Sequence, residues 1–303
     1  MNIFRAFVLF FSSLLIVSCS STTDKPVQGS TASPITAPVD SNRVSVWDVA
    51  PNPEGVAIGP GVIYATHFGD ELTPMAQDGD GYIASYDANG SFLKKLVTGL
   101  DAPKGIEVID NQVFVADVDS LIGFSIKDGS RTFSASFKGK SKFLNGLSAA
   151  DESNLYISAT DAGKIWKVNL QTSEIREIAS VPAVNGLAVS ADGSVIYAVQ
   201  YNSEEPTAGR LLAVNPLDGS FIPLGTYAGL LDGVYESKGV VYFTDWNPGG
   251  MGKILRYDPI TKSTKVVLED NRLQGPADFE ILGDGLALIP MLTGSRILGI
   301  RLN

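Results

Sequence analysis

The sequence has one cysteine and one histidine in 303 residues, and basic side chains are fewer than acidic ones. A single cysteine excludes an internal disulfide framework, and a single histidine excludes a histidine-rich zinc cluster. There are 23 lysines and arginines against 33 aspartates and glutamates, so the formal net charge is -10. Because nucleic-acid binding needs a basic surface, we expect no nucleic-acid partner.

The sequence also lacks the short motifs of several enzyme classes. It contains no Gly-x-Ser-x-Gly, no Gly-x-x-x-x-Gly-Lys-Ser/Thr and no His-Glu-x-x-His. Serine hydrolases of the nucleophile-elbow type, P-loop nucleotide hydrolases and zincins are therefore not supported by any motif.

An apolar run from Ala6 to Val17 is short for a membrane span and is typical of an export signal. It ends in Ile16-Val17-Ser18-Cys19, which resembles the bacterial lipobox, in which the cysteine is lipidated after cleavage. We therefore predict that residues 1–18 are a lipoprotein signal peptide and that Cys19 is the lipidation site. A plain signal peptide, or a cysteine that stands there by chance, is the alternative.

Residues 19–42 are rich in Ser, Thr and Pro and show no apolar periodicity, so they are predicted to be a flexible tether. The chain is then expected to be exported and lipid-anchored to the bacterial cell envelope. Ser20 after the cysteine resembles the pattern of lipoproteins that are sent to the outer membrane of a Gram-negative host.

Residues 43–303 show short β-branched and aromatic runs between turn residues, and no apolar spacing typical of helices. A unit of about four such runs recurs six times, every 40 to 50 residues. This repeat predicts an all-β domain, a six-bladed β-propeller. We expect it to be monomeric.

The last repeat stops after its third strand, whereas Val44–Val49 forms a strand that belongs to no repeat. We predict that this N-terminal strand pairs with the last blade at its outer edge. Such pairing would close the ring and cover an open sheet edge.

The first residue of each repeat is expected to line one mouth of the central channel. These residues are Glu54, Lys104, Asn145, Asn185, Asp232 and Asp278. His67 ends the second strand of its repeat and is expected near the same mouth, either as a group that contacts substrate or metal-bound water or as a hydrogen-bonded structural residue. Carboxylate and amide oxygens are ligands for calcium, magnesium or manganese, and calcium is the cation that we expect first.

Three segments carry a resemblance to a known family: PNPEGV (51–56), the region of Asn145 and VNGLAVSADGSVIYAV (184–199). They resemble the gluconolactonase, regucalcin and strictosidine-synthase-like propellers, also described as SMP-30/gluconolactonase-like, over essentially residues 43–303. The resemblance implies a divalent cation held by Glu54, Asn185 and Asp232, with Asn145 contacting substrate or metal-bound water.

The resemblance further implies hydrolysis of a small lactone or ester, with Asp232 as the catalytic base for a metal-bound water. Two positions depart from the family. Phe143 replaces an arginine that contacts substrate in the sugar lactonases, and Gly146 replaces an aspartate.

Lys104 opens an alternative, because its ammonium could contact substrate or pair with Glu54 or Asp278 in place of a cation. The ring would then be a hydrogen-bonded and ion-paired plug. The corresponding alternative function is a non-catalytic propeller that binds an envelope protein, a peptide or a glycan.

Overall fold

The computed structural model describes residues 44–302; the predicted signal peptide, Cys19 and the tether lie outside this range. Within it the regular elements are 24 β-strands in six four-stranded antiparallel sheets. None of the described residues forms a helix with the length and hydropathy needed to cross a membrane. The predicted all-β, six-bladed propeller is confirmed.

The strands follow one another from the centre of the propeller outward in the first five blades. Blade 1 comprises β2 (Pro53–Gly59), β3 (Val62–His67), β4 (Gly81–Tyr86) and β5 (Phe92–Leu100). Blade 2 comprises β6 (Pro103–Ile109), β7 (Gln112–Asp117), β8 (Ser120–Ser125) and β9 (Arg131–Ser136). Blade 3 comprises β10 (Leu144–Asp151), β11 (Asn154–Ala159), β12 (Lys164–Asn169) and β13 (Ile175–Ser180).

The remaining blades differ mainly in strand length. Blade 4 comprises β14 (Val184–Val189), β15 (Ile196–Gln200), β16 (Leu211–Val214) and β17 (Phe221–Pro223). Blade 5 comprises β18 (Leu231–Ser237), β19 (Val240–Asp245), β20 (Gly252–Asp258) and β21 (Ser263–Asp270). Blade 6 comprises β22 (Glu280–Ile281), β23 (Leu286–Met291), β24 (Arg296–Arg301) and β1 (Val44–Asp48).

The N-terminal strand closes the ring as predicted. β1 pairs antiparallel with β24, in a register that places Val44 opposite Ile300 and Trp47 opposite Ile297. Trp47 packs into a buried cluster with blade 1 residues such as Val56 and Tyr82. The strand therefore joins the last blade to the first through both backbone hydrogen bonds and apolar packing.

The hydrophobic core lies between neighbouring blades. One cluster joins Phe114 of blade 2 to Leu144 and Leu155 of blade 3, and similar clusters fill the other interfaces. The innermost strands are largely buried, whereas an outer strand such as β17 is exposed throughout. This gradient places the innermost strands around a narrow channel.

Glycines allow the innermost strands to approach one another at the channel. A Cβ at Gly105 would lie 2.4 Å from the carbonyl oxygen of Asn145, and one at Gly146 would lie 2.8 Å from that of Asn185. Five blades have glycine at this position: Gly55, Gly105, Gly146, Gly186 and Gly233. We call these the channel glycines.

The sixth blade departs from this pattern and corrects one expectation from the repeats. In blade 6, Pro276 pairs with Met291, the last residue of the second strand. In blade 5, Leu231 pairs with Asp245, the last residue of the corresponding strand. Counting from these pairs, Ala277 occupies the position of Asp232, and Asp278 occupies the position of Gly233. Asp278 is therefore not the repeat-start residue of blade 6. It carries a carboxylate at a point where the other blades have no side chain.

Candidate functional site

Four of the predicted site residues share a position one residue before a channel glycine. Glu54, Asn145, Asn185 and Asp232 lie on four innermost strands, and each is 3% exposed. Each has one buried side-chain oxygen that accepts no hydrogen bond: Oε2 of Glu54, Oδ1 of Asn145, Oδ1 of Asn185 and Oδ1 of Asp232. We call these four atoms the oxygen set.

Buried acceptors without a partner are rare, and each costs about 1–3 kcal/mol. Four of them occur at equivalent positions of four blades, and none of the four receives a hydrogen bond from a described residue. Two carboxylates and two amides match the oxygen ligands of calcium, magnesium or manganese. The residues present therefore fit a hard divalent cation.

The asparagines are essential to this fit. Nowhere in residues 44–302 do three or more His, Cys, Asp or Glu side chains lie together so that they could hold a metal ion. Glu54 and Asp232 alone are therefore not a complete carboxylate site. The two amide oxygens would have to supply the remaining protein ligands.

Burial changes the protonation of the two carboxyl groups. It raises the pKa of Asp232 to about 7, and the hydrogen bond from Trp246 opposes this rise. Burial, followed by the charges of Asp278 and Asp232, raises the pKa of Glu54 well above its usual value. A cation among these oxygens would favour both carboxylate forms.

Lys104 takes the same position in blade 2 but points to different partners. Its Nζ donates to the carbonyl oxygen of Ala102 at 2.9 Å and lies 4.8 Å from the ring centre of Phe143 and 5.3 Å from that of Phe68. Burial lowers its pKa to about 8, although the charge of Glu54 opposes this. In the described residues no carboxylate lies within ion-pairing distance of Lys104, so it does not plug the oxygen set.

An apolar layer covers the oxygen set on the mouth side. It comprises the residues that follow the second strand of five blades: Phe68, Val118, Tyr201, Trp246 and Leu292. We call this layer the collar. Trp246 connects the two levels, because its Nε1 donates to Oδ2 of Asp232 at 2.7 Å while its ring meets Tyr201 edge-on at 5.3 Å.

Sequence reasoning did not identify the role of Trp246 at this site. The repeats offered one signal, since an apolar residue directly follows the second strand in five of the six blades.

His67 lies outside the oxygen set. It is fully buried, with Nδ1 3.0 Å from the carbonyl oxygen of Pro51 and Nε2 3.0 Å from the hydroxyl of Tyr86. Its ring stacks on Tyr82 at 4.7 Å, and burial lowers its pKa to about 4. Both nitrogens have partners, Pro51 and Tyr86, so in this structure His67 has a packing role and neither nitrogen is free to contact substrate or metal-bound water.

The acidic ends of two second strands hold inter-blade loops. Asp117 accepts hydrogen bonds from the backbone N–H groups of Asp101 and Ala102. Asp245 likewise accepts from the N–H of Leu230 and from the hydroxyl of Tyr227. These carboxylates fix the segments that lead into the innermost strands, and thereby the positions of Lys104 and Asp232.

Comparisons with known proteins support the fold and not a particular family. No protein-family model matches the chain, and a search of curated sequences finds no match. A Bacteroides thetaiotaomicron VPI-5482 protein of unknown function has 14% identity and a TM-score of 0.65, over 84% of this chain and 70% of its own. Virginiamycin B lyase from Staphylococcus aureus has 12% identity and a TM-score of 0.58, over 86% and 99%.

A structure of a nidogen/laminin complex gives 18% identity and a TM-score of 0.55, over 70% of this chain and 78% of its own. At these identities the similarity establishes the propeller fold alone. The resemblance to the gluconolactonase-like family stays a prediction.

Proposed function

We propose that this chain is a cell-envelope lipoprotein, anchored through Cys19, whose propeller binds one divalent cation in its channel. Glu54, Asn185 and Asp232 would ligate the cation, with Asn145 contacting it directly or through water. The observation that carries the proposal is the oxygen set, because four buried acceptors without partners are explained together by one hard cation.

The chemistry that such a cation supplies is polarisation of a carbonyl group and a lower pKa for a bound water. Hydrolysis of a small lactone or ester is the activity proposed on this basis. Asp232 would act as general base for that water, with its carboxylate held in place by the hydrogen bond from Trp246.

The collar favours a second candidate, a non-catalytic propeller that recognises an envelope protein, a peptide or a glycan. With Glu54, Asn145, Asn185 and Asp232 each 3% exposed, a substrate reaches the oxygen set only if the collar moves. A cation in a closed channel would instead stabilise the propeller that presents the binding surface.

Turnover distinguishes the two candidates. The full chain is assayed with a γ-lactone, a δ-lactone and p-nitrophenyl acetate, with calcium and with a chelator. An enzyme loses turnover with the chelator and in Glu54→Gln and Asp232→Asn, while Glu152→Gln on an exposed turn retains it. Absence of turnover that depends on a cation contradicts the hydrolase and leaves the non-catalytic candidate.

A further inference from the structure

A second site lies further along the channel, beyond the channel glycines. It is a cavity of about 200 Å³ lined by residues of all six innermost strands. Its apolar walls include Val56, Leu147, Leu187 and Val234, each of which directly follows a channel glycine. We call it the lower cavity. It is several times larger than the ~30 Å³ share of one water molecule, so a small organic molecule fits.

The charged residues that line the lower cavity are all acidic. Glu107, Asp278 and Glu280 line it, together with Glu236, and no lysine, arginine or histidine is among its lining residues. Burial and the charge of Glu280 raise the pKa of Glu107 to about 8, and burial raises the pKa of Glu280 to about 7. Carboxylates held this way gain from a positively charged ligand.

Asp278 is the feature that distinguishes this cavity from a cluster of acids on a surface. It replaces the glycine that the other five blades have at this position, and it projects across the channel. Its Oδ1 lies 3.0 Å from the point where a Cβ on Gly186 would be. Its carboxylate makes no hydrogen bond to another residue of the range 44–302, is partly exposed, and lines the cavity. A carboxylate that the protein leaves unpartnered and that faces a cavity can accept hydrogen bonds from a ligand that brings donors.

A metal ion is not the ligand that this arrangement favours. The carboxylates of the described residues are not grouped closely enough for three of them to hold one ion. Two are also held in place by the backbone: the Ile58 N–H donates to Glu280 Oε2 at 2.5 Å, and the Gly239 N–H donates to Glu236 Oε1 at 2.5 Å. Carboxylates that are spaced apart around apolar walls suit an extended organic cation.

Aromatic rings in the lower cavity also suit an organic cation. Tyr235 and Phe279 also line the cavity, and their rings lie 6.2 Å apart. Aromatic rings attract alkylammonium groups, and apolar walls accept a methylene chain. Glu107, Tyr235 and Glu280 are half-buried rather than fully enclosed, which leaves a route from solvent.

We propose that the lower cavity binds a small aliphatic diamine, with one ammonium group at Asp278 and the other at Glu107 and Glu280. The methylene chain lies between them against Val56, Leu147 and Leu187. The proposal does not depend on the function proposed for the oxygen set. The Asp278 carboxylate interacts electrostatically with Glu54 and Asp232, so variants at Glu107 are the ones that distinguish the two sites.

Calorimetric titration of the full chain with butane-1,4-diamine tests the proposal. We expect one diamine per chain, and binding weaker by roughly tenfold or more for butylamine, which has only one charge. Asp278→Asn and Glu107→Gln should each weaken diamine binding by roughly tenfold or more, since each removes one charged partner of an ammonium group. Glu152→Gln, which removes an exposed charge, should bind as the wild type does.

Calcium titration of the same variants distinguishes an effect on the lower cavity from an effect on the oxygen set. Glu107→Gln should retain calcium binding while losing the diamine, and thermal unfolding shows that the variant is folded. If Glu107→Gln does not fold, Glu280→Gln serves in its place. Absence of diamine binding by the wild type, or equal binding by Glu107→Gln and Asp278→Asn, overturns the proposal.

Discussion

Trp246 donates its indole N–H to Oδ2 of Asp232 across 2.7 Å, which leaves Oδ1 of Asp232 buried and without a partner. The collar and the oxygen set are thus joined by one hydrogen bond. Its geometric effect is to direct the free oxygen of Asp232 away from the indole. A group that orients a metal ligand in this way affects affinity without touching the cation.

Replacement of Trp246 by phenylalanine should therefore weaken calcium binding by roughly tenfold to a hundredfold, as loss of such a supporting contact does elsewhere. Calorimetric titration of the full chain measures the change. Trp166→Phe is the matched control, because Trp166 Nε1 is buried without a hydrogen-bond partner and its loss removes no hydrogen bond. Equal affinity in both variants would show that Trp246 does not orient Asp232.

Thr66 connects two blades through its hydroxyl group. Its Oγ1 accepts from the N–H of Gly55 at 2.8 Å and donates to the carbonyl oxygen of Lys104 at 2.7 Å. Thr66→Val would leave both buried backbone groups unpaired, at a cost of about 1–3 kcal/mol each. Denaturant unfolding should show this loss, whereas Thr98→Val at an exposed position should change stability by less than about 0.5 kcal/mol. Similar stabilities of the two variants would contradict the assignment.

Closure of the ring depends on Trp47, a residue of the closing strand whose side chain packs against blade 1. Trp47→Ala should destabilise the propeller by about 3–5 kcal/mol, as truncation of a buried tryptophan does. The neighbouring Val46 is 44% exposed, so Val46→Ala should cost far less and controls for changes to the strand itself. Thermal unfolding of both variants measures the difference, and equal losses would contradict a closing role for Trp47.

The raised pKa of Glu107 predicts that the stability of the propeller depends on pH. The pKa of its carboxyl in the folded chain is raised from 4.5 to about 8, by burial and then by Glu280. Between these two values the folded state binds more protons at this group than the unfolded state does. The contribution of Glu107 to stability is therefore fully present below pH 4.5 and is lost as the pH rises toward 8.

Comparison with Glu107→Gln isolates this contribution, because other groups titrate in the same range in both proteins. The melting temperature of the wild type should fall relative to that of the variant between pH 5 and pH 8. Parallel curves over this interval would show that Glu107 titrates normally.

The blades were predictable because the repeats carry their own signals: alternating apolar residues, turn residues between strands and, in five of the six, a glycine near the start of the first strand. The closing strand followed from counting strands, since Val44–Val49 had no repeat of its own. The position of Asp278 was not predictable in the same way. Asp278-Phe279-Glu280-Ile281 looks like Asp232-Gly233-Val234-Tyr235, but pairing of Pro276 with Met291 shifts the register by one residue.

The sequence predicted only those site residues whose location follows from their position in a repeat. Glu54, Asn145, Asn185 and Asp232 occupy equivalent positions, so the fold alone brings them to one level of the channel. Two other features depend on side-chain packing. Lys104 is oriented toward Ala102. His67 is enclosed by Tyr82 and Tyr86. The repeat pattern of the sequence does not predict such contacts.

Cation binding by the oxygen set is tested most directly by calorimetric titration of the full chain with calcium, alongside Glu54→Gln and the control Glu152→Gln. The account predicts one calcium ion per chain for the wild type and for Glu152→Gln, and no measurable binding for Glu54→Gln. Absence of binding by the wild type, or undiminished binding by Glu54→Gln, would contradict a cation site at these four oxygens.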